Sequence, residues 1–279
     1  MLKRVMLAAA VLLLVAIVVG FVLVTRADAH LAAPPAVTRS LPPGEGDVAR
    51  GKYLVKDVLV CGECHGADMG GGIVLENAAL GRVSAPNITS GKGGIGAKSL
   101  HEWDLAIRHG IANGRALLLM PSDGYSHLSA QDMRDIAAYL AIVPKVDRTV
   151  LHTELRPIGA ALVLRGSLHA DAFIISHDTI DKGDTGVPLQ RGAYLLEVAG
   201  CRGCHGAELQ GREVAPGKPP APDISRAKLS AWSYQQFVAA VRNGQGLDGR
   251  ALDALMPSKA YAAMPDDELL ALFQELHGP

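Results

Sequence analysis

Aromatic side chains are scarce, with two Trp, four Phe and six Tyr in 279 residues. So few large rings leave little from which to build an aromatic core, a deficit that a large flat cofactor would make good. Excess charge of either sign is also missing. The formal net charge is −1, which gives no basic field to hold nucleic acid and no acidic excess of the kind that marks a disordered tail. No cysteine is left over. Cys61, Cys64, Cys201 and Cys204 form two pairs with two residues between the partners. That pattern excludes a lone free thiol, a third metal-binding pair and any disulfide framework beyond what these pairs supply. No convincing run of alternating β-branched residues occurs, so the expected fold is all-α. Glycine (31) and proline (16) are plentiful, as suits two small domains of short helices and long irregular loops, and the length allows two domains.

One apolar run stands apart. Val5 to Val24 are twenty consecutive uncharged residues, all apolar apart from Gly20. At about 1.5 Å per residue a helix of that length spans a hydrocarbon core of about 30 Å. Lys3, Arg4 and the amino terminus precede the run, against Arg26 after it with Asp28 close by. This bias keeps the start of the chain in the cytoplasm and sends residues 27–279 across the membrane. Ala27-Asp28-Ala29 also has the small-x-small form of a signal-peptide cleavage site. The run is longer than the stretch of about 7–15 residues usual in such peptides, and the expectation is a retained single-pass anchor.

The rest of the chain is a duplication. Arg50-Gly51-Lys52-Tyr53-Leu54 recurs as Arg191-Gly192-Ala193-Tyr194-Leu195, and Ala85-Pro86-Asn87-Ile88 as Ala221-Pro222-Asp223-Ile224. Gly114-Arg115-Ala116-Leu117 returns as Gly249-Arg250-Ala251-Leu252, and Met120-Pro121-Ser122 as Met256-Pro257-Ser258. Order is kept throughout, so the body is one unit used twice. The division this implies is an anchor at 1–26, a Pro-containing tether at 27–43, a first unit at 44–144, a linker at 145–186 and a second unit at 187–279. Helices are expected over 47–60 and 187–200, over 99–109 and 230–242 with glycine stops at Gly110 and Gly244, and from Ser129 and Pro265 onward. Gly51 and Gly192 are expected where the first helix of a unit crosses its last, with Tyr53 and Tyr194 packed in the crossing. The linker holds an apolar patch, Ile158 to Leu164, which must pack somewhere.

The cysteine pairs carry the chemistry. Each belongs to Cys-x-x-Cys-His: Cys61, Cys64 and His65, then Cys201, Cys204 and His205. This is the attachment signature of c-type haem. Two thiols one helical turn apart add to the vinyl groups of a porphyrin, and the following histidine lies under the ring with an imidazole nitrogen on the iron. Three other readings compete. Zinc wants paired motifs some 12–20 residues apart, whereas these pairs lie in different copies of the repeat. A redox dithiol wants a βαβ setting, and disulfides within the pairs would leave both histidines unexplained.

For the opposite face of each iron the repeat offers Met120 and Met256, each ahead of a proline that would fix a turn and behind Gly-Arg-Ala-Leu. His/Met is a standard axial pair. Met264 is the local competitor in the second unit, and Met69 lies close to His65. His101, His109 and His127 are the rival histidines, without counterparts in the second unit. A methionine in the last position raises the reduction potential and closes the coordination shell, which suits outer-sphere electron transfer and leaves no catalytic residue to name. The smaller repeated elements, Ala85-Pro86-Asn87 and Ala221-Pro222-Asp223, are expected to be turns near the cofactor edge.

Several stretches resemble one known group. Leu80 to Thr89, Ala106-Ile107-Arg108-His109-Gly110, Met120-Pro121-Ser122, Pro144 to Arg148 and Met256 to Tyr261 are similar to segments of diheme, membrane-anchored c-type cytochromes related to the cytochrome c subunits of periplasmic alcohol and aldehyde dehydrogenases. The likeness covers nearly the whole exported part. It implies two tandem cytochrome c domains, two covalently attached haem c groups, His65/Met120 and His205/Met256 ligation, and a periplasmic electron-transfer role at the inner membrane. The partners expected are a dehydrogenase donor and a terminal oxidase or other cytochrome as acceptor, with no nucleic acid. The alternative is a diheme redox enzyme of peroxidase or thiosulfate-oxidising type, which would need an iron with a displaceable ligand.

Overall fold

The structure is a computed structural model that describes residues 1–180, 190–214 and 217–278. The end of the expected linker, 181–186, and residues 187–189 of the expected second unit lie outside the described residues. The apolar run forms one helix, α1 (Leu2–Leu31), which continues past residue 26. Its side chains are exposed along most of the run, whereas Gly20, Ala27 and Leu31 are buried.

In the first unit, α2 (Val48–Tyr53) is capped by the Asp47 carboxylate, which accepts from the Ala49 and Arg50 amides, and it runs on into a π-helical turn over Leu54–Val58. A short α3 (Gly62–His65) carries the first haem-binding signature. A hairpin of β1 (Gly72–Asn77) and β2 (Gly81–Ala85) follows. Next come α4 (Leu100–Ile107), β3 (Ile111–Ala112), β4 (Arg115–Ala116), α5 (Ser122–Tyr125) and α6 (Ala130–Ile142). The linker adds β5 (Glu154–Leu155) to the edge of β2, then α7 (Pro157–Leu164) and two 3-10 turns at Asp171–Phe173 and His177–Thr179. The second unit holds α8 (Arg191–Val198), α9 (Cys201–His205), α10 (Arg226–Leu229), α11 (Tyr234–Asn243), α12 (Ser258–Tyr261) and α13 (Asp266–His277).

Local signals explain the paired helices. Ser99 with Glu102, and Ser233 with Gln236, form complete capping boxes at the starts of α4 and α11, each satisfying two amides that the helix cannot. Gly244 ends α11 at φ +64° in the left-handed region, and Gly110, just past α4, has φ +66°. A Cβ at Gly51 would collide with the Asp135 carbonyl of α6, and one at Gly192 with the Ala271 carbonyl of α13. Only glycine allows the first and last helices of each unit to cross this closely.

The fold is helix-rich, and the all-α expectation is corrected by two small antiparallel sheets, β1-β2-β5 and β3-β4. β2 buries Gly81, Val83 and Ala85 while Arg82 and Ser84 are half-buried. A strand this short and bounded by glycine offers too few alternations to stand out in sequence. Among the described residues the second unit has single bridges at the matching places, Arg212 to Ala221 and Gln245 to Ala251.

One continuous core runs through both units, from Leu54, Val58 and Ile136 to Leu195, Leu269 and Leu272. A second cluster joins Ala27 and Leu31 of α1 to Ala160 and Val163 of α7 and to Val83, Ile111 and Ala116. The apolar patch of the linker therefore packs on the end of the long helix. Tyr53 and Tyr194 do not close their own units. Tyr53 bonds Glu268 on α13, and Tyr194 bonds Asp132 on α6.

Candidate haem sites

Each signature histidine is held by one backbone carbonyl. His65 Nδ1 donates to Pro86 O at 2.8 Å, and His205 Nδ1 donates to Pro222 O at 2.8 Å. Both rings are 8% exposed. No hydrogen bond to Nε2 of either ring occurs among the described residues, so with the tautomer set by the carbonyl Nε2 of each imidazole keeps its lone pair available to a metal. Burial lowers the proton affinity of His65, partly opposed by the Pro86 carbonyl. A neutral imidazole is the form that binds iron.

The chain reaches those carbonyls by a turn that only glycine makes easily. Gly71 (φ +77°) and Gly211 (φ +82°) donate their amides to His65 O and His205 O, both at 2.8 Å. A Cβ at Gly71 would strike Ala85, Pro86 and Asn87, and one at Gly211 would strike Ala221, Pro222 and Asp223. Asn87, fully buried, fixes its segment by donating to Val146 O at 2.7 Å and accepting from the Thr89 amide at 2.9 Å.

All four cysteines are free of disulfides. Burial pushes the Cys61 and Cys201 thiols up to about 12 and raises those of Cys64 and Cys204 as well. Thiols raised in this way lack the low proton affinity of a reactive dithiol. Among the described residues no group of three or more His, Cys, Asp or Glu able to hold a metal ion occurs and no strand pair is parallel. Neither the zinc reading nor the dithiol reading gains support.

The methionines sit in matched settings. Met120 and Met256 are half-buried at the edge of the shared core. The Ser122 and Ser258 amides turn back to Met120 O and Met256 O, both at 2.8 Å. The Ser122 and Ser258 hydroxyls donate to Ala106 O (3.4 Å) and Ala240 O (3.1 Å), tying each turn to α4 or α11. Tyr125 then donates to Leu59 O at 2.6 Å and Tyr261 to Ala199 O at 2.7 Å, just ahead of each cysteine pair. The methionine segment and the cysteine segment of each unit are thus locked together by a buried tyrosine.

The competitors fall elsewhere. Met264 stands where the first unit has Leu128: each amide bonds the carbonyl of the preceding tyrosine, each carbonyl accepts from an arginine (Arg242 or Arg108), and each side chain is 2% exposed. Met69 matches Leu209, and both are buried in the core. His101 and His127 are exposed. His109 is buried and its Nδ1 lies 2.9 Å from His177 Nδ1 of the linker, the rings stacked. A thioether, an imidazole and two thiols in each unit fit a covalently held haem.

Residues 46–140 and 187–274 match the family described as cytochrome c oxidase, cbb3-type, subunit III. The chain belongs to this family. The two matched stretches are the two copies of the repeat, and α7 lies in the stretch between them. Among similar proteins, the fructose dehydrogenase cytochrome subunit of Gluconobacter japonicus is 29% identical over 81% of this chain and 51% of its own length. A diheme cytochrome c-type protein of Cereibacter sphaeroides is 29% identical over 76% of this chain and 79% of its own length. The cytochrome c subunit of a quinone-dependent alcohol dehydrogenase from Gluconobacter oxydans is 26% identical over 81% of this chain and 53% of its own. The chain spans about half the length of the two dehydrogenase subunits. Its cofactors are two covalently bound haem c groups.

Sequence reasoning missed the Pro86 and Pro222 carbonyls as the groups that orient the two histidines. The signal was present, since Ala-Pro-Asn/Asp-Ile recurs in both copies.

Proposed function

We propose that the chain is an electron carrier without catalytic residues of its own, anchored by α1 in the inner membrane with both cytochrome units in the periplasm. In this reading Cys61 and Cys64 would hold one haem by thioether bonds, with His65 and Met120 as the residues that would bind its iron. Cys201, Cys204, His205 and Met256 would do the same for the second. The first unit occupies 44–144 and the second 187–279, with 145–186 between them. Haem c supplies a one-electron iron couple. The protein residues keep each histidine in one tautomer, bury the thiols and brace the methionine turn, which limits rearrangement on electron transfer.

The observation that carries the reading is the doubled frame. The same histidine-to-proline-carbonyl bond and the same tyrosine brace stand in both units, which favours two sites of one kind over one specialised catalytic iron. Dehydrogenase subunits among the relatives favour a dehydrogenase as donor, with a terminal oxidase or another cytochrome as acceptor.

Retention of α1 is supported by its packing. Ala27 is fully buried, Asp28 pairs with Arg115 at 2.6 Å and His30 stacks on Phe173 at 4.1 Å. Separate redox titration of Met120→Ala and Met256→Ala holoproteins tests the reading. Each variant should lower the potential of one haem and remove half of the sulfur-to-iron charge-transfer absorption. Equal shifts in both haems, or a wild-type iron that is high-spin and binds external ligands, would contradict it.

A further inference from the structure

The eight residues of α7, Pro157-Ile-Gly-Ala-Ala-Leu-Val-Leu164, carry no charge and no hydrogen-bonding side chain. Their position matters as much as their composition. A Cβ at Gly20 would come 3.0 Å from Pro157 Cγ, so α7 begins against Gly20, a buried residue on a helix whose neighbouring side chains are bare. Gly20 lies inside the apolar run, four residues before its end at Val24. At 1.5 Å per residue that places the contact about 6 Å inside the outer edge of the hydrocarbon. Interfacial helices bury their apolar faces about 5–10 Å into the headgroup and acyl boundary.

One side of α7, with Ala160 and Val163, packs on Ala27 and Leu31 of α1. Among the described residues, part of the remaining apolar surface is left open. Ile158 is 55% exposed and Leu164 41%, and Ile174, next to the Phe173 ring that stacks on His30 of α1, is 62% exposed. Arg156 and Arg165 flank the helix and are exposed, the placement that lets cations meet phosphate headgroups while apolar residues sink.

We infer that α7 is a second membrane-contacting segment, bedded beside α1 in the outer leaflet with Ile158, Leu164 and Ile174 against acyl chains. The inference rests on the anchored reading of α1. Its consequence concerns the first unit. Gly159 lies directly against the Leu80 carbonyl at the turn of the β1-β2 hairpin, and Leu118 and Leu119, just before Met120, pack in the same cluster as α1 and α7. A single α1 crossing followed by a tether would let the haem units swing. Two adjacent contacts fix the height and tilt of the first unit at the membrane, with its methionine turn on the membrane side.

The test uses full-length holoprotein in vesicles of phosphatidylcholine and phosphatidylglycerol that contain a phosphatidylcholine with a diazirine on its acyl chain. After irradiation, lipid adducts are mapped by mass spectrometry. Adducts are expected on α1 and also within 157–164 and at Ile174. In the double variant Ile158→Asp/Leu164→Asp, adducts in 157–164 should be lost and those on α1 kept, with the visible spectrum of both haems unchanged. Wild-type adducts confined to α1 would overturn the inference while leaving the anchor intact. Adducts on neither segment would overturn the anchor and the inference together.

Discussion

Tyr53, on the first helix of the first unit, donates its hydroxyl to Glu268, on the last helix of the second. The duplicate relationship runs the other way, from Tyr194 to Asp132. Asp132 and Glu268 are equivalent residues, each in the first turn of its helix, where a carboxylate also meets the positive end of the helix dipole. Arg50 bonds both, at 3.3 Å to Asp132 and 3.1 Å to Glu268, and Arg191 pairs with Glu268. The two units are thus joined by an exchange of equal parts about an approximate twofold, with Glu268 only 5% exposed.

Removing Glu268 should therefore cost more than an ordinary surface change. Glu268→Ala leaves two partly exposed arginines and a tyrosine without their shared acceptor, a loss at or below the lower end of the about 3–5 kcal/mol that breaking a fully buried pair costs. Tyr53→Phe removes a single hydrogen bond to a charged group, for which about 1.5–3 kcal/mol is expected. Denaturant unfolding of the holoprotein measures both. Equal and negligible losses would show that the ring does not hold the units together.

The same contact makes stability fall at alkaline pH. Burial pushes the Tyr53 hydroxyl up to about 12, against a partial opposing effect of Arg50 and Arg191, whereas an unfolded tyrosine titrates near 10. The protonated form is the one the fold favours. Its contribution is complete below about pH 10 and is lost as the pH rises toward about 12, where the unfolded chain has already released its proton. Burial and the Asp132 carboxylate raise Tyr194 in the same direction. Thermal melts of Tyr53→Phe/Tyr194→Phe should show a shallower fall than wild type over this range.

Much of this architecture is legible in the residues, and the remainder is not for identifiable reasons. The duplication, the glycine crossings at Gly51 and Gly192 and the glycine stops at Gly110 and Gly244 are local or repeated signals. The exchange of Tyr53 and Tyr194 is neither, because a repeat shows which residues correspond but not which copy each one touches. The Ala-Pro-Asn/Asp-Ile repeat marks the place of the Pro86 carbonyl, but a backbone acceptor has no letter of its own to reveal its role. The Ile158 to Leu164 patch announces burial without naming its partner, since an apolar octapeptide packs equally well on a core, an interface or a lipid.

Gly71 and Gly211 give a test of the histidine frame. A methyl group at either position would meet backbone atoms and would also force a left-handed φ on alanine, a strain of about 1–2 kcal/mol before any collision is counted. The segment that must yield carries the carbonyl that holds the histidine. Gly71→Ala should shift the potential of the first haem and Gly211→Ala that of the second. Resonance Raman and redox titration would report a change in one site only.

Asp171 braces the first methionine turn and has no repeated partner. It belongs to the linker, is 4% exposed, and accepts from the Asp123 amide at 2.9 Å, three residues past Met120. Asp171→Ala would remove the acceptor of the part-buried Asp123 amide, a hydrogen bond worth about 0.5–1.5 kcal/mol. The charge-transfer absorption of the first haem should weaken on mild heating before that of the second. Simultaneous loss from both haems would assign Asp171 a general structural role.

Whether α1 remains on the mature protein can be decided directly. Ala27-Asp28-Ala29 has the form of a cleavage site, yet in the fold this tripeptide is built into the first unit. Ala27 is fully buried, and the Asp28 carboxylate reaches Arg115 at the head of the Gly-Arg-Ala-Leu stretch before Met120. Cutting after Ala29 would also remove Leu23 and Val24 from the cluster with Ala160 and Val163, leaving α7 with apolar surface on both sides. A loss of that kind resembles a large-to-small change in a core, at about 2–5 kcal/mol. Protein purified from membranes should therefore have the intact mass of a chain that keeps α1 and should need detergent to stay in solution. A mature chain starting at residue 30, soluble and equally stable, would mean that α7 finds its cover elsewhere.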